Sequence, residues 1–314
     1  MIPLAEIEAA RERLSGAVLR TPLVRLDVTD APAELYLKLE NLQPIGSFKL
    51  RGAGNAMALA SPEELERGVW TASAGNMAQG VAWWARRLGL RCTVVIPETA
   101  PEAKVAAIQR LGAEIVKVSF DVWFEIFRTH AHEGVEGLFV HAFSDPAVMA
   151  GNGTIGLEIL EDLPDVDAVV IPYGGGGLTC GIASALRALA PGCKVYACEV
   201  VTGAPLAASL AAGRLTKVEY EPSFVDGIGS PEVFPEMFEL TRDLVDGSIV
   251  SDLDEIAAAV RLLAERARVV AEGAGATPVA AALAGKAGGG KVVCVVSGGN
   301  IDAAKLAAIL TGEF

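Results

Sequence analysis

The sequence predicts an α/β fold with two open, mostly parallel sheets flanked by helices. Three observations support this prediction. With 314 residues, the chain is long enough for one large domain or two modest ones. Short β-branched runs alternate with alanine-rich helical patterns in two separate series. The runs have no polar face, which is typical of parallel strands covered by helices on both sides.

The first segment, Met1–Leu14, has the charge pattern of an amphipathic helix. The first series follows near residue 68 and comprises strand 68–72, helix 78–88, strand 91–96, helix 103–111 and strand 114–118. The second series comprises strand 167–172, helix 178–189, strand 194–200, helix 204–213, strand 291–297 and helix 301–310. We therefore expect two α/β units, with the break between them near residues 140–150.

Composition and charge exclude several classes of protein. Hydrophobic residues make up 52% of the chain, which excludes intrinsic disorder for most of it. The formal net charge of −13 repels the phosphate backbone, so we expect no nucleic-acid partner. The uncharged stretch Ala168–Leu186 contains Pro172 and four consecutive glycines, so we expect no membrane span there.

The cysteines and the N-terminus indicate the compartment. The five cysteines include no C-x-x-C pair, so neither a disulfide framework nor a zinc site is expected. The charged N-terminus differs from a signal peptide, which has basic residues followed by an apolar run. We therefore expect a cytoplasmic protein.

Lys49 is the first candidate for chemistry. It lies among small and apolar residues in the segment Gly46–Ala53, before a helical pattern. A buried lysine has a lowered pKa, and its neutral amine is a nucleophile. A surface lysine at the start of a helix remains the alternative explanation.

Two turns between a strand and a helix can bind anions. Ser73-Ala74-Gly75-Asn76-Met77 would present the free N–H groups of a first helical turn to a carboxylate. Tyr173-Gly174-Gly175-Gly176-Gly177-Leu178 would wrap its backbone around a phosphate at the start of the next helix. The second turn is neither a P-loop nor a dinucleotide fingerprint, because it lacks the Lys-Ser/Thr pair and the glycine spacing of those motifs. A capped tight turn and a purely structural glycine turn are the respective alternatives.

A third turn, Ser297-Gly298-Gly299-Asn300, follows the last predicted strand. Its serine hydroxyl can make one neutral hydrogen bond. A lysine amine, a carboxylate site, a phosphate cradle and a neutral polar contact are together what pyridoxal 5'-phosphate requires. The combination therefore indicates this cofactor, with an amino acid as the small-molecule substrate.

These motifs, with Arg20-Thr21-Pro22-Leu23 and Lys38-Leu39-Glu40-Asn41-Leu42-Gln43, lie in an order that resembles one enzyme family. The sequence is similar to the threonine/serine dehydratase and serine racemase group of fold-type II pyridoxal phosphate enzymes. The resemblance covers nearly the whole chain. It implies a large cofactor-binding domain (1–50 and 146–314), a small mobile domain (51–145) and a homodimer.

The resemblance also implies roles for individual residues. Lys49 would be the Schiff-base lysine and the catalytic base that removes the Cα proton, with Phe48 bordering the cofactor ring. Gly174 to Leu178 would hold the phosphate, and Ser73 to Met77 the substrate carboxylate. The remaining cofactor contacts would be Asn76 at the phenolic oxygen, Ser297 at the ring nitrogen, and Gly227 and Glu272 nearby. An uncharged Ser297 would not enforce protonation of the ring nitrogen, which suits β-elimination better than transamination.

The implied reaction is dehydration of an L-β-hydroxy amino acid such as L-threonine or L-serine to a 2-oxo acid and ammonia. Three departures from the family pattern bear on it. Ala74 occupies the position of a second serine in the racemases, so we expect poor racemisation. Met77 replaces the usual histidine. Of the residues for a metal site only Glu199 is present, with Pro205 at the aspartate position, so we expect no metal.

Several alternatives stay open. Trp123, Phe124 and Phe127 are either core residues of a helix or part of a pocket for a bulky apolar β-substituent, as in phenylserine. β-Replacement, racemisation and a non-catalytic amino-acid sensor are the other candidate functions. The histidines His130, His132 and His141 have no metal-binding spacing, and His141 alone lies close to the predicted domain junction.

Overall fold

The structure of the protein, a computed structural model, describes residues 1–313 except for the side chain of Ala103. Its strands are β1 Leu23–Arg25, β2 Glu34–Leu39, β3 Val69–Ala72, β4 Cys92–Pro97, β5 Glu114–Val118, β6 Leu138–Phe139, β7 Ala168–Pro172, β8 Lys194–Val200, β9 Gly247–Ser251 and β10 Lys291–Val296. Its α-helices are α1 Leu4–Leu14, α2 Lys49–Leu59, α3 Pro62–Glu66, α4 Asn76–Leu88, α5 Glu102–Arg110, α6 Phe120–Thr129, α7 Pro146–Asp162, α8 Gly177–Leu189, α9 Pro205–Ala212, α10 Pro235–Leu244, α11 Leu253–Leu262, α12 Gly273–Leu283 and α13 Ala303–Thr311.

The strands form two sheets. The larger sheet has six strands in the order β1-β2-β10-β7-β8-β9, all parallel to their neighbours except β1, which is antiparallel to β2. The smaller sheet has four parallel strands in the order β5-β4-β3-β6. Two mostly parallel sheets flanked by helices confirm the predicted fold class.

Burial explains why these segments become strands. All residues of β3 and β7 are buried, and the two large clusters on the six-stranded sheet lie on its opposite faces. Val170, Cys294 and Val296 belong to one cluster, whereas Val169, Val293 and Val295 belong to the other. Side chains of a strand alternate between the faces of its sheet, so both faces are covered.

Helix α2 is held in place by a buried network of charges. The Arg51 guanidinium donates to both oxygens of Glu40 and to Glu158 on α7, at 2.7–2.9 Å. The Lys38 ammonium donates to the same Glu158. Removing one partner of a buried ion pair leaves an uncompensated charge, which is strongly unfavourable. The network thus fixes the first turn of α2, where Lys49 lies.

Candidate active site

The predicted site turns lie at the carboxyl ends of parallel strands, where ligands bind in open α/β sheets. The turn at 73–77 follows β3, the turn at 174–177 follows β7, and the turn at 297–300 follows β10. A further contact brings Lys49 to them: Phe48 N–H donates to the Ser297 carbonyl at 3.0 Å, beside a bridge between Ser47 and Gly298. The fold therefore assembles in one region turns that are far apart in the chain.

Lys49 is the first residue of α2 and is partly buried. Its Nζ donates to the Ala142 carbonyl at 2.6 Å and lies 5.1 Å from the centre of the Phe48 ring. Burial lowers the pKa of Lys49 from 10.5 to about 8, while the negative charge of Glu272 acts in the opposite direction. A far larger fraction of this amine than of an exposed lysine is therefore neutral near physiological pH, and only the neutral amine acts as a nucleophile or a base.

The tetraglycine turn leaves no room for side chains at its last three glycines, Gly175 to Gly177. Gly176 has a left-handed φ of +90° and precedes the first residue of α8. A Cβ atom on Gly175 would lie 2.2 Å from the Phe143 ring, and one on Gly177 would lie 2.5 Å from the Phe143 carbonyl oxygen. The first N–H groups of α8 have no partner within the helix, so this turn can bind an anion with its backbone.

The turn at 73–77 is open on the side where a ligand would bind. The Ser73 hydroxyl accepts from Gly75 N–H at 3.1 Å, and a Cβ atom on Gly75 would meet nothing within 4 Å. Helix α4 begins at Asn76, so its free N–H groups lie at this turn. Ala74 is half-buried, whereas the Met77 side chain is buried in the core beneath the small sheet. Met77 can therefore contribute its backbone N–H, but its side chain belongs to the core.

Asn76, Glu272 and Gly227 come together at this group of turns. Asn76 Nδ2 donates to Glu272 Oε1 at 2.8 Å. Glu272 precedes α12, and burial raises its pKa to about 7, with the charge of Asp226 adding to the effect. A Cβ atom on Gly227 would lie 3.5 Å from Glu272 Oε1, and the Gly227 carbonyl lies against Gly174. Leu178 and Ser297 are buried at the ends of the same group of turns.

With this geometry established, comparisons with known proteins give the family. Residues 14–298 match the profile of a family described as pyridoxal-phosphate dependent enzymes. The chain belongs to this family. It is 45% identical to an L-threonine ammonia-lyase of Thermotoga maritima, over 96% of this chain and 76% of the relative. It is 38% identical to a catabolic L-threonine dehydratase of Staphylococcus aureus, over 99% and 92% of the two chains.

Solved structures agree with the sequence relatives. The fold matches maize serine racemase with a TM-score of 0.90 at 31% identity, covering 99% of this chain and 97% of that one. The protein therefore has the fold of a fold-type II pyridoxal phosphate enzyme, and pyridoxal phosphate is its cofactor.

The described residues fit this cofactor. The neutral amine of Lys49 can bind an aldehyde, and the tetraglycine turn is a cradle that any Cβ at Gly175 or Gly177 would fill. A Cβ on Gly298 would lie 2.4 Å from Glu272 Oε1 and 3.2 Å from Asn76 Nδ2. A glycine at this position lets the polar groups of the two neighbours approach the site.

The segment between β6 and α7 contributes site residues that sequence reasoning missed. Ala142 accepts from Lys49, and Phe143 packs on the tetraglycine turn. Buried His141 holds this segment, since its Nδ1 accepts from the N–H groups of Phe143 and Ser144 at 3.2 and 2.9 Å. Burial lowers the pKa of His141 to about 4, so its ring stays neutral. A backbone carbonyl acceptor has no sequence signature, and only the position of His141 near the junction pointed to this segment.

The aromatic residues of α6 form part of a cluster that reaches the site. Phe127 is buried and its ring centre lies 5.7 Å from that of Phe143. Phe124 and Phe143 both contact Phe234, which precedes α10, at 5.9 and 5.3 Å. The aromatic cluster Phe124, Phe127, Phe143 and Phe234 is thus a packed core that extends from the tetraglycine turn.

Glu199 at the end of β8 is engaged by the protein itself. Its carboxylate accepts from Leu206 N–H at 2.9 Å, from Ala207 N–H at 2.7 Å and from the Ser248 hydroxyl at 2.6 Å. Burial raises the pKa of this carboxyl. Within residues 1–313 no three His, Cys, Asp or Glu side chains cluster as metal ligands would. Glu199 therefore caps the first turn of α9.

The helix lengths and the cysteines give two further findings. No helix in the described part of the chain is both long and apolar enough to cross a membrane. All five cysteines are free and buried.

Proposed function

We propose that this protein is a pyridoxal phosphate-dependent ammonia-lyase that converts an L-β-hydroxy amino acid, such as L-threonine or L-serine, to a 2-oxo acid and ammonia. The observation that carries the proposal is that Lys49, whose pKa is lowered to about 8, donates to the carbonyl of Ala142, the neighbour of the Phe143 that packs on the tetraglycine turn. The similarity to L-threonine ammonia-lyases over nearly the whole chain supports the reaction type. Ala74, which has no hydroxyl, favours elimination over racemisation.

Each proposed cofactor contact uses a group described above. Lys49 would bind the aldehyde carbon, the N–H groups of the tetraglycine turn the phosphate, and Ser297 the ring nitrogen. Asn76 would donate to the phenolic oxygen. Phe48, Leu178, Gly227 and Glu272 would surround the ring and phosphate. When bound, pyridoxal phosphate supplies an electron sink for the charge that develops at Cα.

The protein's own groups then act on the substrate. The N–H groups of the turn at 73–77 would bind the carboxylate and so orient the Cα–H bond. The Lys49 amine would remove the Cα proton, since its lowered pKa provides a neutral base near physiological pH. The Ala142 carbonyl, which accepts from Nζ, would hold the amine in position between proton transfers. Loss of the β-hydroxyl as water follows, and the product hydrolyses to the 2-oxo acid and ammonia.

The experiment that tests this function compares Lys49→Ala with Lys117→Ala. Lys117 is the control because its side chain is exposed on β5. We expect purified wild type and Lys117→Ala to show the visible absorption band of lysine-bound pyridoxal phosphate and to release 2-oxo acid from L-threonine. Lys49→Ala should lose both. Continued 2-oxo acid production by Lys49→Ala would refute the assignment, and a band without turnover in wild type would favour an amino-acid sensor.

The aromatic cluster favours a second candidate substrate. If its four phenylalanine rings line the substrate pocket, a charged β-substituent would lose its hydration there without gaining a partner, whereas an apolar substituent, as in phenylserine, would pack against the rings. A panel of L-threonine, L-serine, phenylserine and threo-3-hydroxyaspartate distinguishes the candidates by kcat/KM. We expect threo-3-hydroxyaspartate to be the poorest substrate. Adding sulfide to the L-serine assay tests β-replacement, for which we expect no cysteine product.

We also propose the molecular organisation. The residues of the small sheet and its helices support a small mobile domain of 51–145 and a large domain of 1–50 and 146–314. The similarity to the dehydratase group supports a homodimer, which a light-scattering mass measurement would test. Free cysteines are usual in a reducing compartment, which supports a cytoplasmic location.

A further inference from the structure

We propose that Asn300 is a positioning residue that orients the side-chain amide of Asn76 and thereby directs an N–H group of Asn76 at the phenolic oxygen of bound pyridoxal phosphate. The inference rests on the proposed function, because it depends on the contact between Asn76 and the cofactor. Asn300 is not one of the residues proposed above to contact the cofactor.

The orientation of the Asn300 amide is determined by a backbone group. Asn300 Nδ2 lies 2.8 Å from the carbonyl oxygen of Ile45 and 2.7 Å from Asn76 Oδ1. A carbonyl oxygen only accepts hydrogen bonds, so the nitrogen and not the oxygen of the Asn300 amide must face Ile45. A primary amide has two N–H donors, and both are used here.

The orientation of the Asn300 amide determines the orientation of the Asn76 amide. Because the second N–H of Asn300 points at Asn76, the oxygen of the Asn76 amide must face Asn300. The Asn76 nitrogen therefore lies on the opposite side, where one N–H donates to Glu272 Oε1 at 2.8 Å. Its other N–H is then available for a ligand oxygen. In the reverse orientation, an oxygen of Asn76 would face both the carboxylate and the ligand.

Glu272 alone defines this orientation less strictly than Asn300 does. A carboxylate accepts only, but a protonated carboxyl group also donates, so it can bond to either end of an amide. Burial and Asp226 raise the pKa of Glu272 to about 7, so both forms are populated near neutral pH. The Asn300 donor does not titrate, and it holds the Asn76 amide in one orientation in either case.

Packing keeps the Asn300 side chain in place. Gly46 has a φ of +73°, and a Cβ atom on it would lie 2.7 Å from Asn300 Oδ1. Gly299 N–H also donates to the Gly46 carbonyl at 2.9 Å. The loop that leads to Lys49, the turn after β10 and the first residue of α4 are thus joined through this one amide. Its substitution should therefore alter cofactor binding without contact between residue 300 and the cofactor.

The test is a double-mutant cycle read out by the dissociation constant of pyridoxal phosphate and by its absorption spectrum. We expect Asn300→Ala to raise the dissociation constant by roughly fivefold to tenfold, the equivalent of one hydrogen bond. The ratio of the visible band to the near-ultraviolet band should change too, since it depends on the hydrogen bond at the phenolic oxygen. In an Asn76→Ala background the same substitution should change neither quantity.

Two further variants and a control complete the experiment. Asn300→Asp should weaken binding more than Asn300→Ala, because its oxygens would face both the Ile45 carbonyl and Asn76 Oδ1. Asn300→Ser serves in the same cycle if the alanine variant does not fold. Asn41→Ala is the control. The amide of Asn41 donates to the Val270 carbonyl, so its loss should leave the spectrum and the dissociation constant unchanged.

The outcomes separate the inference from the function on which it rests. If the effect of Asn300→Ala persists in the Asn76→Ala background, or if there is no effect in either, Asn300 does not act through Asn76 and the inference is refuted. Wild-type protein that binds no pyridoxal phosphate would refute the proposed function and the inference together.

Discussion

The reactivity of Lys49 depends on the pKa that its surroundings give to its amine. A lysine in water has a pKa near 10.4, so less than about 1% of it is neutral at pH 8. At the start of α2 the amine is held against the Ala142 carbonyl and the Phe48 ring, and burial lowers its pKa to about 8. The opposing charge of Glu272 limits the shift.

The pKa of Lys49 predicts how cofactor capture depends on pH. Only the neutral amine attacks an aldehyde, so the rate at which apoprotein binds pyridoxal phosphate should rise with pH and level off above about 8. Glu272→Gln removes the charge that raises the pKa, so its midpoint should lie at lower pH. Stopped-flow absorbance at the visible band measures both. A rate that still climbs steeply at pH 10 would contradict the lowered pKa.

Ala74 is the second residue-scale determinant. It lies half-buried in the turn before α4, at the position where the resemblance to the racemases predicts a serine. We expect Ala74→Ser to raise the rate of D-serine formation from L-serine by at least about tenfold, since a placed acid or base contributes about 10²–10⁴-fold to a proton transfer. Chiral chromatography measures this rate. Ala74→Val, which adds bulk without a proton, is the matched control, and an equal gain in both would refute the explanation.

At the scale of elements, the site contains two helix N-termini, each preceded by a turn that contains glycine. Helices α4 and α8 begin at Asn76 and Gly177, directly after short turns at the ends of β3 and β7. The aligned peptide dipoles make these ends attractive to a carboxylate and a phosphate. An acidic chain thereby obtains local anion sites from backbone N–H groups.

The tetraglycine turn makes a testable distinction between neighbouring glycines. A Cβ atom on Gly175 would overlap the Phe143 ring, whereas one on Gly174 would lie in ordinary contact, 3.4 Å from the Gly227 carbonyl oxygen. We expect Gly175→Ala to lower the free energy of unfolding of the apoprotein by about 1–3 kcal/mol, as overpacking does. Gly174→Ala should cost less.

Urea denaturation measures these differences, and a double variant identifies their source. Relative to Phe143→Ala alone, Gly175→Ala/Phe143→Ala should lose little further stability, because the atoms that overlap the new Cβ are gone. Equal losses for Gly174→Ala and Gly175→Ala would show that the Phe143 contact does not limit this turn.

At the scale of the whole molecule, two ion pairs join the helices beside the small sheet to loops of the proposed large domain. Arg128 on α6 pairs with Glu232, and Lys104 on α5 pairs with Asp226 at 2.8 Å. Arg128 also lies over the Phe124 and Phe234 rings. These two pairs, the cross-cleft pairs, join helices beside the small sheet to loops outside residues 51–145, so they would favour closure of the small mobile domain that we propose.

Loss of a cross-cleft pair should weaken substrate binding modestly. Exposed pairs contribute at most about 1 kcal/mol, so we expect Lys104→Gln to raise the KM for L-threonine by up to about fivefold at low salt. The difference should disappear at high salt, where exposed charges are screened. Lys117→Gln, whose partner Glu102 lies in the same unit, is the control. A similar rise in both variants would argue against closure as the cause.

The fold was predictable where local patterns are strong. The predicted strands 68–72, 114–118 and 194–200 correspond to β3, β5 and β8, because a short run rich in β-branched and aromatic residues between turns is a local signal. Strand β2 was not predicted, although it pairs with β10 inside the large sheet. It contains no β-branched residue, and its Lys38 is buried against Glu158, 120 residues further along the chain.

The sequence by itself determined the chemical groups of this protein: one lysine before a helix, three turns of small residues, an alanine at position 74 and a serine at position 297. Those are local features, since turn geometry depends on a few adjacent residues. The tertiary structure alone decided the pKa of Lys49, the contact of Phe143 with the tetraglycine turn and the orientation of the Asn76 amide by Asn300. These depend on burial and on hydrogen bonds between residues up to 255 positions apart, which no local pattern records.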